Sequence, residues 1–342
     1  MVWTAERTWI NARVQLGAEA TTALGTNVAA AKTLECFDWV FQIESDVAFY
    51  TATGHKYPAT QEENTEWLSG TLSGNLDYNG AIYPLASVCG DQAAVAHLAS
   101  TTAKDWIFTP PLSSSIVPRT YTVEQGDAIR AHKFNYGLFT DFGYKGTRKD
   151  FSCSGKLIAQ PIQDSITLTA TPTIIAISPV VAKHVNVYLD TTSAGLGTTL
   201  LTRALSVDFS MSNFYGPLWV LNRATTGWTA HVDLMPKCIV KLKVEADATG
   251  MGWLPTYLQG GAIAYIRVQA LGTTVIAADG PGSIFPEFRH DMAVKFGKPS
   301  AFEDDQGVYA LEWEGTVVED PTWGTTPGTA QKFTVTNLLA AL

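Results

Sequence analysis

The chain has 342 residues, 46% of them apolar and only 16% charged, and a net charge of −9. This length accommodates two domains of ordinary size, and the composition excludes a disordered or fibrous chain. The acidic balance argues against gripping nucleic acid through its phosphates, and the low charged fraction suggests a surface covered in a large assembly.

Residues 1–14 carry Glu6, Arg7 and Arg13 and lack the apolar core of a secretory leader, so none is expected. No run approaches 18 uninterrupted apolar residues, and no membrane span is expected. Leu24-Gly25-Thr26 returns 172 positions later as Leu196-Gly197-Thr198. Further weak matches keep the same order. Residues 32–34 match 203–205, and Phe41-Gln42-Ile43 matches Phe209-Ser210-Met211. Residues 81–90 match 252–261, with Pro84 over Pro255 and Gly90 over Gly261. Ala131-His132-Lys133-Phe134 matches Ala293-Val294-Lys295-Phe296, and 155–161 match 315–321. Collinear echoes at this spacing read as one domain written twice, over residues 1–170 and 171–342, because solenoid repeats are several-fold shorter.

Within each copy strand signals dominate. Residues 163–170 alternate, with Ile166, Leu168 and Ala170 opposite Thr167 and Thr169. Residues 238–246 send Lys241 and Lys243 outward. In 309–317, Tyr309, Leu311, Trp313 and Val317 face one way, and Glu312, Glu314 and Thr316 the other. One short helix is predicted per copy. The first spans 81–89, with Pro84 in its first turn and Gly90 as its stop; the second spans 253–259, closed by Gly260-Gly261. The expected fold is mainly β: two tandem β-sandwiches, each flanked by a short α-helix and joined by the Pro-punctuated stretch 169–183.

Catalytic signatures are missing from the pattern. His55, His97, His132, His184, His231 and His290 lack metal-ligand spacing, and Cys36, Cys89, Cys153 and Cys238 lack CxxC spacing and read as reduced small hydrophobes of a cytosolic protein. The GLGTT of 195–199 has no phosphate-loop lysine and reads as a turn. Glu303, Asp304 and Asp305 read as a solvated turn. No enzyme and no cofactor is expected. Ten tryptophans raise a sugar-stacking alternative, with Trp253 and Trp313 assigned to the core and Trp67, Trp106 and Trp228 left open.

The stretch VQLGAEATTALGTNVAAAKTL from Val14, the short helix after SGTLSGNLDY, the endings DFSCSGKLIAQPI and LEWEGTVVEDPTWG, and the second opening VNVYLDTTSAGLGTTLL together resemble the major tail tube proteins of long-tailed bacteriophages. The resemblance implies a structural virion protein made in the host cytoplasm. Its duplicated tail-tube-like domains would form homotrimeric rings, stacked into the conduit through which viral DNA passes without specific binding. Tail terminator, tape measure and baseplate proteins are the implied partners. The hydrophilic loop 53–66 would reach the adjacent ring through His55, Lys56, Tyr57, Glu62 and Glu63. Glu312 and Glu314, two like charges with no evident folding role, are the expected lumen-facing residues. The alternative is a carbohydrate-binding β-sandwich of a baseplate or receptor-binding protein.

Overall fold

The computed structural model describes residues 12–221, 225–279, 282–324 and 328–342, so most of the stretch read for a leader lies outside the described residues. The chain is mainly β. Its first part runs β1 (Arg13–Ala18), β2 (Lys32–Leu34), β3 (Asp38–Tyr50), β4 (Thr60–Asn75), α1 (Ile82–Val88), β5 (Val95–Ala96), β6 (Lys104–Phe108), β7 (Tyr121–Gly126), β8 (Ala131–Gly146), β9 (Phe151–Ala159), β10 (Gln163–Ile166) and β11 (Thr173–Ile175). The remainder runs β12 (Val185–Asp190), β13 (Ala204–Ser212), β14 (Tyr215–Leu218), β15 (Ala230–Asp233), β16 (Lys237–Glu245), α2 (Ala248–Trp253), β17 (Ala264–Leu271), β18 (Glu287–Phe296), β19 (Glu303–Asp305), β20 (Val308–Val317) and β21 (Gln331–Asn337).

The pairing pattern occurs twice. β3–β4–β9–β8 is matched by β13–β16–β20–β18, antiparallel throughout. A second series, β1–β7–β8–β10, is matched by β12–β17–β18–β21. β8 and β18 serve both series. The beginning of β8 pairs with β7 and β10, and its later residues pair with β9. The Leu-Gly-Thr echo has a shared cause. Gly25 (φ 77°) and Gly197 (φ 86°) both take the left-handed turn that favours glycine. Each N–H donates to a carboxylate just at the end of the preceding strand, Glu19 at 2.7 Å and Asp190 at 2.9 Å.

Shared pairing partners correct two of the sequence matches. Gly155 opposes Phe142 and Leu72, and Gly315 opposes Phe296 and Val240. Leu72 and Val240 in turn oppose Trp39 and Phe209. Phe142 therefore corresponds to Phe296, and Trp39 to Phe209. Phe134 and Phe41, which the letter matches suggested, are out of register.

The two halves meet edge to edge. β8 pairs antiparallel with β13, from Phe142↔Met211 to Gly146↔Val207, so the two four-stranded series form one continuous sheet. At Gly143 the strands run so close that a β-carbon would lie 2.7 Å from the carbonyl oxygen of Phe209. Behind the seam, Tyr144 packs against Phe209 and its hydroxyl lies 2.9 Å from Nδ1 of His290. The imidazole stacks on Phe333 at 3.8 Å between centroids, and its Nε2 faces Gln331 Oε1 at 3.2 Å. One core runs through both halves.

Excursions from each half lock onto the other. β6 pairs with β21, and Trp106 Nε1 donates to Asn337 Oδ1 (3.2 Å) and to the Leu339 carbonyl (3.1 Å). In return, the β14–β15 hairpin lies on the first half. Tyr215 Oη donates to the Ser87 carbonyl (3.0 Å), and Trp228 Nε1 to the Ala159 carbonyl (3.1 Å). Asp279 accepts from Ser100 Oγ (2.5 Å) and from the Thr101 N–H (2.9 Å). The stretch read as a join is partly structural: β11 pairs in parallel with β2, and the Val180 N–H donates to Leu76 O at 2.7 Å.

Local expectations fared unevenly. α1 is fully buried and stops at Gly90, as read. The second helix starts earlier than expected, at Ala248, because Asp247 caps it by accepting from the Thr249 and Gly250 N–H groups. It then widens into a π-helical turn over Leu254–Gln259. Gly250 and Gly252, poor helix formers, masked this start. Of 163–170, only β10 is a strand.

His290 gives the seam a pH signature. Loss of water around the buried ring pushes its pKa down to about 3, against the hydrogen bond to Gln331. The folded pKa lies below the unfolded value of about 6.5, so between the two the unfolded chain takes up the proton and stability falls as pH falls. His290→Gln is expected to flatten the loss of stability between pH 6.5 and 4 by up to about 1.4 kcal/mol per pH unit. Denaturation midpoints across that range check it; an unchanged slope contradicts it.

Candidate assembly surfaces

The continuous sheet has one apolar and one polar face. Trp39, Leu72, Leu157, Tyr144, Phe209, Leu242 and Trp313 point into the core, and their strand neighbours point away. Leu311 and Trp313 are buried as the period-two pattern required. On the polar face one row crosses four strands with alternating charge: Lys145, Asp208, Lys241 and Glu314 are successive partners. The gaps are 3.8 Å from Lys145 to Asp208 and 3.3 Å from Lys241 to Glu314. Nearby, Lys156 meets Asp141 at 3.6 Å and Lys243 meets Glu303 at 2.7 Å.

Glu312 and Glu314 do share this face, but they are not an idle pair of like charges. Their partners on β16 are Lys243 and Lys241. The face is therefore charge-balanced around them and not uniformly acidic. Their counterparts in the first half are Ser152 and Ser154, respectively, which point the same way on β9. The turn at 303–307 is a hairpin, with Glu303 paired to Lys243 and Asp305 to Arg148 (2.7 Å).

The sheet ends in two edges. Among the described residues β3 pairs with β4 alone, which leaves its other edge open along the whole strand. Val40 on that strand is 65% exposed. At the far end, β18 leaves β20 after Phe296. The Gly297 N–H still donates to Glu314 O, and the Ser300 N–H to Glu312 O, both at 2.8 Å. Beyond them Phe302 stacks on Tyr309 at 4.8 Å, both exposed.

The β3–β4 hairpin projects from one end of the sheet. Residues 51–64 are exposed, including His55, Lys56, Tyr57, Glu62 and Glu63; Tyr57 is 79% exposed. The loop is shorter than the sequence suggested. Thr60 begins β4, so Glu62 and Glu63 sit on a strand opposite Ala48 and Val47. The equivalent connection in the second half carries β14 and β15, and it is packed onto the first half.

Sequence reasoning missed the seam residues Tyr144, His290 and Gly143, since nothing in a linear pattern pairs β8 with β13. It also left Trp106 and Trp228 open; both are core, and every described tryptophan is buried or half-buried. The four cysteines are free, and burial raises all four thiols. No described helix is long and apolar enough to cross a membrane. No family model matches the chain, and no curated protein matches it.

Glu314→Lys places a lysine directly opposite Lys241 and is expected to lower stability by about 1 kcal/mol, a small loss because the pair is half-exposed. Adding Lys241→Glu should restore most of it. A double-mutant cycle without coupling contradicts a folding role for this row.

Proposed function

We propose that the chain is a structural, non-enzymatic subunit of a phage tail tube, built from two tail-tube-like β-sandwich domains with a short helix each. One observation carries the reading. The same strand series occurs twice, its copies are stitched by β8–β13, and the outer ends of the joined sheet are left without partners among the described residues. An open sheet edge is a template for another strand, and a head-to-tail contact that repeats with rotation closes into a ring. Three chains of eight strands make 24. At a strand spacing of about 4.8 Å this is a circumference of about 115 Å, or a diameter of roughly 37 Å before strand tilt widens it.

The polar face suits the inside of such a ring. Lys145, Lys156, Lys241 and Lys243 on it are held by neighbouring carboxylates, which leaves few free cations to bind passing phosphates. Glu312 and Glu314 would then belong to the wall of the DNA conduit. The free β3–β4 hairpin, one per chain, would reach the adjacent ring, and terminator, tape measure and baseplate proteins would meet the ends and lumen of the tube. Trp106 and Trp228 lie in the core, which takes these two out of any sugar-binding surface.

Electron microscopy of the purified chain at rising concentration tests this reading. Rings or tubes with three-fold symmetry are expected; six-chain rings, or monomers alone at high concentration, contradict it. Replacing residues 52–58 by a two-residue turn should change stability by about 0.5 kcal/mol or less, since these residues bury nothing. It should leave rings that do not stack. Wild-type tube formation by that variant contradicts the hairpin's role.

A further inference from the structure

The internal seam provides a template for the seam between chains, and an apparently purposeless glycine marks where it falls. By the shared partners above, Phe296 occupies in the second half the place of Phe142 in the first. Gly297 then occupies the place of Gly143, since each lies one residue on and opposite corresponding residues, Glu314 and Ser154. Gly143 is required because β13 presses against it, with a β-carbon reaching 2.7 Å from Phe209 O. Gly297 has no such neighbour. A β-carbon there would meet only Glu314 O at 3.5 Å, an ordinary contact. Nothing among the described residues calls for a glycine at this position, whereas a strand arriving as β13 arrives at Gly143 would.

The strand equivalent to β13 is β3, whose free edge has no partner among the described residues. Trp39 stands in the place of Phe209, so Val40 and Phe41 stand in those of Ser210 and Met211. Asp38 likewise repeats the acid at Asp208. We infer that β3 of one copy of this chain pairs antiparallel with residues 295–300 of the next copy, with Phe41 opposite Phe296 and Val40 opposite Gly297. The inference rests on the ring reading above and adds the register of its seam. In that register Gln42 faces Lys295, and the Trp39 carbonyl packs over Gly297. Beyond Gly297 the first-half pattern is stretched by one residue, because the N–H donating to Glu312 O belongs to Ser300. Asp38 then lies beside Ser300, with Lys298 close by.

Cysteine pairs test the register. Within one chain β3 and β18 lie seven strand spacings apart, about 34 Å along the sheet at about 4.8 Å each, beyond any disulfide. A bond between residues 42 and 295 must therefore join two chains. Gln42→Cys with Lys295→Cys is expected to give, on mild oxidation, covalent dimers and trimers and nothing larger. The pairs Val40→Cys with Lys295→Cys and Glu44→Cys with Lys295→Cys, each two residues out of step, should not link. A second measurement uses the glycines. Gly297→Ala should leave the melting temperature of the monomer unchanged and raise the concentration needed for assembly about tenfold or more. Gly143→Ala should lower the melting temperature.

Linking by a shifted pair, with tubes still visible, overturns the register and leaves the tube reading intact. Tubes without any linkage, or normal assembly by Gly297→Ala, also overturn the seam. Absence of both tubes and linkage overturns the seam and the tube reading together.

Discussion

A β-strand with a bare edge exposes a row of N–H and C=O groups that another strand can satisfy. The ladder between Phe142–Gly146 of β8 and Val207–Met211 of β13 meets that constraint once, inside the chain. It draws two copies of a four-stranded series into a single sheet. The aromatic cluster of Tyr144, Phe209, His290 and Phe333 fills the space behind it, and each such contact adds about 0.5–1.5 kcal/mol beyond its buried area. Because β8 also runs into the β1–β7–β10 series, a disturbance at the seam reaches both strand series of the first half.

The halves are alike in plan and different in detail, and the differences determine how the chain presents itself. Both have a connection between the first two strands of the series that meet at the seam, β3–β4 and β13–β16. In the first half it is a bare hairpin exposed throughout; in the second it is spent on the contact between halves. Each chain therefore displays one free hairpin. The reciprocal excursion, β6 onto β21, ties the other side. Between them these locks make independent unfolding of either half unfavourable, since Trp106 and Trp228 would each lose a buried hydrogen-bond partner and most of their packing.

Much of this was legible in the sequence where the physics is local. Alternation placed Leu311 and Trp313 inward and Lys241 and Lys243 outward. The glycine turns at Gly25 and Gly197 announced the repeat because both need a left-handed residue at the same point. Legibility failed where one residue's role depends on a distant strand. Ala131–Phe134 resembles Ala293–Phe296 in letters, but the strands sharing Gly155 and Gly315 fix a different register. The start of the second helix hid behind Gly250 and Gly252, whose cost is offset by the Asp247 cap. Glu312 and Glu314 looked unpaired because Lys243 and Lys241 lie some seventy positions earlier in the chain. The polar loop 53–66 looked uniform, whereas its later half is a strand held by β3.

The central claim is that β3 has a bare edge in the monomer and a partner strand in the assembly. Hydrogen–deuterium exchange of β3 before and after assembly tests it most directly. The outward N–H groups of Asp38–Glu44 are expected to exchange freely in the monomer and to become protected in the tube, while those of the β8–β13 ladder are protected in both. Unchanged exchange along β3 in assembled material, or protection already complete in the monomer, would contradict it.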